Sequence, residues 1–199
     1  MSVLEQRLKA FYAAEMMDRA GRMLSLERTT RVDAFVQGLR AVRAQLVLEV
    51  GCGAGRDGVI LRQSGCAYVG VDFSPVAVRT CRDRKLNAVV ASATEVPFAD
   101  DSFDAAWSMS TLMHLPGDGF SKAIRELGRV VRCGGVVEIG VWGHFRNREW
   151  TSPDGRYFIH RSDDQVQSDV KALGEVVAFD TWSWSPDGGH YQWVRVITR

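Results

Sequence analysis

The sequence holds little that could cross-link or coordinate. Its 199 residues include four cysteines, Cys52, Cys66, Cys81 and Cys133, and four histidines, His114, His144, His160 and His190. The cysteines form no CxxC pair and the histidines stand far from them along the chain, so neither a disulfide framework nor a metal site is expected. No run of about 18 apolar residues occurs, so no membrane-spanning helix is expected. Glu5, Arg7 and Lys9 break the apolar stretch that a signal peptide would need. A reducing, cytoplasmic setting follows as the expectation. Charge of one sign is missing too: 25 Lys+Arg face 24 Asp+Glu, a formal net charge of +1. That balance argues against a protein that grips nucleic acid or an anionic membrane by charge alone. There is no internal repeat and no low-complexity segment.

What is present fits one globular domain over residues 1–199, with 46% hydrophobic and 25% charged residues. A chain of this length buries roughly 70% of the surface that its unfolded form exposes. Leu4, Leu8, Phe11, Tyr12 and Met16 recur at three- and four-residue spacing and predict an amphipathic helix over 3–21, followed by a second over about 26–43. The period then changes. LVLEV (46–50), AYVGVD (67–72), NAVVA (87–91), FDAAWS (103–108) and VVEIGV (136–141) read as strands, four of the five followed by a plausible helix. Ser74 before Pro75 caps one helix, and Phe120, Ala123, Ile124, Leu127, Val130 and Val131 form one apolar stripe on another. Ser162 and Gln165 open a last helix that stops near Gly174. Such alternation predicts a parallel sheet with helices on both faces. Near the end, 175–184 and 191–198 are strand-like, and the turn signals Pro186, Asp187, Gly188 and Gly189 make that pair antiparallel. Residues 142–161, with Pro153, Asp154 and Gly155, show no clear element and read as a functional or mobile loop.

Chemistry concentrates after the first strand, in EVGCGAGRDG at 49–58. Gly51, Gly53 and Gly55 at a strand-to-helix turn let backbone N–H groups approach a ligand closely. Gly53, Gly55 and Gly58 also satisfy GxGxxG, and Asp72 ends the second strand where a ribose-binding acid would stand. The glycine motif alone is therefore ambiguous between nucleoside ligands, and a tight turn without a ligand gives the same pattern.

In this order and spacing, EVGCGAG, GVDFSPVAV, ATEVPFADDSFDAAWS and HLPGDGFSKAIRELGRVVRCGG resemble the small S-adenosylmethionine-dependent methyltransferases of the seven-stranded Rossmann-like fold, over about residues 46–143. The resemblance implies a three-layer α/β sandwich: a mostly parallel seven-stranded sheet with an antiparallel C-terminal hairpin. Residues 1–44 would be a helical lid or extension, and 45–199 the Rossmann-like core. It implies that Gly51, Cys52 and Gly53, with Glu49, lie beside the methionine portion of the cofactor, that Asp72 takes both ribose hydroxyls and that Phe73 faces the adenine. Many members carry an Asp where this chain has Ser92, so the adenine contact passes to the Ser92 hydroxyl or to the backbone of Ala93. Met109 and Ser110 would lie near the sulfonium. Tyr12 matches a tyrosine that closes over the cofactor in many members, although a core aromatic has the same spacing.

Methyl transfer from a sulfonium is an in-line displacement that chiefly needs alignment, which contributes roughly 7 to 11 kcal/mol. No conspicuous catalytic constellation is required, and none is seen. If the acceptor has a proton to lose, a base adds about 10² to 10⁴ in rate, and His114, shortly after the fourth strand, is the candidate; the alternative is that it packs before Pro116. Trp142, His144 and Trp150 would wall a pocket for an aromatic or amphipathic acceptor, or plug the core. Arg125, Arg129 and Arg132 fall near one helical face, yet Glu126 beside them favours a solvated face over RNA binding. The expected partner is a small molecule, with S-adenosylhomocysteine as product, and the chain is expected to be a monomer or homodimer. Two rivals stay open: an NAD(P)-dependent oxidoreductase, and a non-catalytic module that binds S-adenosylmethionine.

Overall fold

A computed structural model of the chain describes residues 3–183 and 189–199. Helices α1 (Val3–Gly21) and α2 (Leu26–Ala41) precede strand β1 (Leu46–Val50). Helix α3 (Arg56–Leu61), strand β2 (Ala67–Asp72), helix α4 (Pro75–Asp83) and strand β3 (Ala88–Val90) follow. Then come β4 (Phe103–Met109), a 3-10 turn at Leu112–His114, α5 (Gly119–Val130), β5 (Val131–Trp142), β6 (Arg148–Thr151), β7 (Tyr157–His160), α6 (Asp163–Val170), β8 (Gly174–Trp182) and β9 (Tyr191–Thr198).

Local chemistry sets these bounds. Ser25, Ser74 and Ser162 each cap a helix by accepting a hydrogen bond from the backbone N–H three residues on, at Arg28, Ala77 and Gln165. Helix α2 ends at Ala41, short of 43, because Arg43 turns into the left-handed region at φ 52°. Helix α6 ends at Val170, and Gly174 already opens β8.

The sheet has seven strands in the order β3-β2-β1-β4-β5-β9-β8; β1 to β5 are parallel neighbours, and β9 runs antiparallel to both β5 and β8. This is the expected α/β class with its antiparallel C-terminal pair. Trp184, read as the end of the first of these strands, and the turn signals Pro186, Asp187 and Gly188 lie outside the described residues. Side chains of each strand alternate between two cores. Leu48, Ala106, Phe120, Ile124, Leu127, Val166 and Val170 pack on the face covered by α5 and α6, whereas Val47, Trp107, Phe35, Leu39, Leu61, Val78 and Cys81 pack under α2, α3 and α4. Chain direction along the sheet reverses between β1 and β4, which opens a crevice at their carboxyl ends.

The connection from β3 to β4 holds no helix, in line with the four of five strands read as followed by one; it is tied to α5, whose Glu126 accepts from the Val96 N–H (2.9 Å) and whose Arg129 donates to the carbonyls of Phe98 (2.7 Å) and Val96 (3.0 Å). Two elements depart from the sequence reading. Strand β5 begins at Val131, earlier than 136, because Val131 pairs with Phe103 before the register shifts to Ala105 and Val136. Residues 142–161 form a two-stranded hairpin, β6 against β7, closed by a turn in which Ser152 N–H donates to Arg156 (2.8 Å) and Gly155 N–H to Ser152 (2.8 Å).

Candidate functional site

Backbone geometry comes first at this site. At the end of β1 the chain passes through Gly51, Gly53 and Gly55, all with positive φ (80°, 50° and 71°). Gly51 admits no side chain, because a Cβ there would stand 2.0 Å from the Thr111 hydroxyl oxygen, whereas a Cβ on Gly53 would meet nothing within 4 Å. The first glycine is thus a close crossing of two loops, and the second presents bare backbone to open space. Gly51 and Cys52 N–H groups anchor the turn on the Val71 carbonyl (2.8 and 3.0 Å).

Asp72 ends β2 beside this loop. Its Oδ2 accepts from Gly53 N–H and its Oδ1 from Ser74 N–H, both at 2.9 Å. Burial raises its pKa against the pull of those two donors. Glu49, nearly fully buried, accepts from the Tyr68 hydroxyl, and burial holds its carboxyl well above the usual range.

A cavity of about 490 Å³ opens over the loop, within the span of roughly 300 to 1,000 Å³ common for small-molecule sites. Of the residues singled out in the sequence, Tyr12, Glu49, Gly51, Cys52, Gly53, Asp72, Phe73, Ser92, Ala93, Met109, Ser110, His114 and Trp142 line it. His144 and Trp150 do not: the His144 ring contacts exposed Phe145 at 4.0 Å, and Trp150 stacks behind Phe158 at 5.2 Å. The Ser92 hydroxyl is engaged with Thr94, at 2.8 Å from its Oγ1. Ser110 takes φ 57°, held by its N–H to the Gly140 carbonyl at 2.7 Å.

His114 sits on the 3-10 turn after β4, almost wholly buried. Its Nδ1 lies 2.8 Å from the Tyr157 carbonyl oxygen, which can only accept, so Nδ1 carries the proton and Nε2 accepts from the Tyr12 hydroxyl at 2.8 Å. Burial lowers its pKa to about 4 and keeps the ring neutral. Phe158 packs on the imidazole at 4.6 Å and stacks on Trp142 at 5.3 Å. Leu8 and Met16 bring buried side chains of α1 to the same cavity, so the apolar stripe of that helix covers the cavity as well as core.

Sequence reasoning missed the cationic half of the site. Arg28 on α2 donates from Nε to Asp57 (2.8 Å), which also accepts from the Trp107 indole (2.6 Å), and this ties the N-terminal helices to the first turn of α3. Burial first, then the neighbouring Arg28, lower the Arg56 pKa. Arg19 lies over the Tyr12 ring at 4.7 Å and has a buried Nε with no hydrogen-bond acceptor. Arg156, on the hairpin turn, pairs with Asp154 (2.7 Å) and lies over Phe11, Trp142 and Phe158. The RDG at 56–58 was the one local signal: an acid in the first turn of the glycine-loop helix that needs a buried cation. Arg129 and Arg132, read from sequence as a solvated face, pair with Glu126, Asp100 and Asp104. Among the described residues no cluster of three or more metal-ligating side chains occurs, and no helix is long and apolar enough to cross a membrane.

Residues 48–139 match a family model described as a methyltransferase domain. The chain is 32% identical over 133 residues to a tRNA (carboxymethyluridine(34)-5-O)-methyltransferase of Arabidopsis thaliana, covering 64% of this chain and 32% of that one. It is 35% identical over 128 residues to a chloroplastic tocopherol O-methyltransferase of the same organism, covering 60% and 36%. The chain thus spans about a third of the length of these relatives. Among solved structures, a Burkholderia thailandensis 1,6-didemethyltoxoflavin-N1-methyltransferase with bound S-adenosylhomocysteine shares the fold over 100% of this chain and 91% of its own (TM-score 0.79, 16% identity). A relative named for tRNA means that the comparisons do not support excluding nucleic acid, and the methyltransferase match overturns the oxidoreductase reading.

Proposed function

Residues 48–139 belong to the methyltransferase domain family, and from that premise we propose that the chain transfers a methyl group from S-adenosylmethionine to a small-molecule acceptor. One observation carries the reading: bare backbone at Gly53 faces the cavity with the Asp72 carboxylate bonded beside it, at the switch point of the sheet. Each Asp72 oxygen accepts one backbone N–H and retains a lone pair, enough for two ribose hydroxyls. Phe73, Ala91, Ser92 and Ala93 flank it as the adenine wall. Arg19, whose buried Nε stands 3.7 Å from Glu15 and makes no hydrogen bond, and Arg56 counter the amino-acid carboxylate of the cofactor.

Bound S-adenosylmethionine supplies a methyl group already activated on a sulfonium. The chain has to hold the acceptor in line and exclude water. Tyr12, His114, Trp142 and Arg156 form that end of the cavity. His114, neutral near pH 7, accepts a proton by relay: Tyr12 takes the acceptor's proton as it passes its own to Nε2. A base with a pKa of about 4 is weak, so the relay serves acceptors whose proton is acidic. The small-molecule reading is supported by α1, here assigned as the lid, because Tyr12 is bonded across the cavity and a polynucleotide would have to displace it.

The test uses methyl-labelled S-adenosylmethionine with a deproteinised metabolite extract and with total tRNA in parallel, beside calorimetry with S-adenosylhomocysteine and NADH. S-adenosylhomocysteine binding at micromolar affinity and label in the small-molecule fraction are expected. Label in tRNA alone reassigns the acceptor, binding without transfer to either fraction favours a cofactor-binding module, and NADH binding in place of the homocysteine nucleoside ends the reading.

A further inference from the structure

Two thiols face each other beneath the glycine loop. The Sγ atoms of Cys52, in the loop, and Cys81, on α4, are 3.6 Å apart, and both cysteines are free and buried. Glycines make room for them: a Cβ on Gly55 would stand 3.0 Å from Cys81 Sγ, and one on Gly70 would stand 3.0 Å from Cys52 Sγ. Cys81 Sγ also lies 3.3 Å from the Gly53 carbonyl oxygen, while the N–H of that same glycine holds Asp72. Cys52 lines the cavity. The other two cysteines are placed differently: Cys66 is buried against the Ser64 hydroxyl (2.6 Å), and Cys133 is exposed.

We propose that Cys52 and Cys81 are a modification site for small peroxides, forming a reversible disulfide that switches off the nucleoside site by displacing Gly53. Its functional half rests on the methyltransferase reading; the chemical half does not. A peroxide entering the empty cavity meets Cys52 first. The Cys52 sulfur attacks one oxygen, the O–O bond breaks, and the thiol proton leaves with the departing oxygen as water, which gives a sulfenic acid. Cys81 then attacks the Cys52 sulfur, the S–S bond forms, the S–O bond breaks, and the hydroxide takes the Cys81 proton as a second water. Two thiols lose two electrons and two protons, and one hydrogen peroxide becomes two waters. The hydrogen bond between the thiols draws the Cys81 pKa down and so favours the attacking thiolate, whereas the same bond and burial push Cys52 up and make the first step slow.

Bond formation brings the sulfurs about 1.5 Å closer, to roughly 2.05 Å. It also removes the S–H that faces the Gly53 carbonyl. Gly53 N–H positions Asp72, so the change reaches the carboxylate through a single residue. A ligand in the cavity covers Cys52 and slows the reaction.

The full chain is treated with hydrogen peroxide, alkylated and mapped by peptide mass spectrometry, with S-adenosylhomocysteine affinity measured before treatment, after it and after dithiothreitol. The expected result is a peptide linking Cys52 to Cys81 and a tenfold or greater loss of affinity that dithiothreitol restores, with slower linkage when S-adenosylhomocysteine is present. Cys81→Ser is expected to form no linked peptide and, against its own untreated form, to lose less affinity on peroxide treatment than the unsubstituted chain does. Cys52 oxidised without linkage, or linkage with unchanged affinity, overturns the proposal. Should the reduced chain bind no S-adenosylhomocysteine, the methyltransferase reading fails, and the presence or absence of the linked peptide still decides the chemistry.

Discussion

The Tyr12 hydroxyl donates to Nε2 of His114 at 2.8 Å across 102 residues of sequence, and joins the N-terminal helix to the turn after β4 directly over the cavity. The other ring nitrogen is fixed by the Tyr157 carbonyl, so the imidazole accepts from Tyr12 in a single tautomer. One contact therefore links α1, the parallel sheet and the β6–β7 hairpin.

Tyr12→Phe keeps the ring and deletes the donor, which leaves a buried Nε2 without its partner at a cost of about 1 to 3 kcal/mol. The variant is expected to lose hydrogen-exchange protection along α1 before any loss in β1 or β4, and to bind S-adenosylhomocysteine several-fold more weakly. Unchanged protection in α1 means that the bond does not hold the helix down.

Burial also makes this contact sensitive to pH. His114 and His160 are both lowered from 6.5 to about 4 by burial. Above pH 6.5 folded and unfolded chains are both neutral there; below it the unfolded chain takes up protons that the folded chain refuses, so stability is lost as pH falls toward 4 and the loss levels off beneath. For His114 it amounts to about 3 kcal/mol. Glu49, Asp72 and Glu138, raised by burial, act in the opposite sense. The informative quantity is therefore a difference in urea midpoint between wild type and His114→Gln at pH 7, 5.5 and 4.5. The variant is expected to be the less stable at pH 7 and to fall less steeply; parallel curves remove His114 from the titration.

Short-range patterns carried much of this architecture. Alternating strands and capped helices are local, and Asp72 and the glycine loop were legible because one strand-to-helix turn and one strand end contain them. The hairpin was not legible, since β6 and β7 have four residues each and the turn signals Pro153, Asp154 and Gly155 dominate the segment around them. Nor could spacing show that Arg28 would meet Asp57, or that a backbone carbonyl at Tyr157 would set the tautomer of His114. Tyr12 had the spacing of a core residue, and only the packing of α1 over the cavity separates the two roles.

Asp72→Ala removes the acceptor of both the Gly53 and the Ser74 N–H groups as well as the proposed ribose contact. Hydrogen bonds to a charged group contribute about 1.5 to 3 kcal/mol, so S-adenosylhomocysteine affinity is expected to drop by roughly 10- to 150-fold in calorimetry. An unchanged dissociation constant takes this carboxylate out of the site.

Gly51 and Gly53 separate folding from binding within one loop. Both have positive φ, so alanine at either is strained by about 1 to 3 kcal/mol. At Gly51 the methyl group would also strike Thr111 at 2.0 Å, whereas at Gly53 it projects into open cavity. Gly51→Ala is therefore expected to lower the thermal midpoint much more than Gly53→Ala does, and pairing it with Thr111→Gly to recover the clash but not the strain. Gly53→Ala is expected to stay folded and to lose most of its affinity for S-adenosylhomocysteine, because its methyl group occupies the space where the ligand meets backbone. Thermal denaturation and calorimetry on the same four proteins decide the matter. Full affinity in Gly53→Ala places the ligand elsewhere in the cavity, and equal midpoints for the two single variants show that Thr111 yields to the added methyl group.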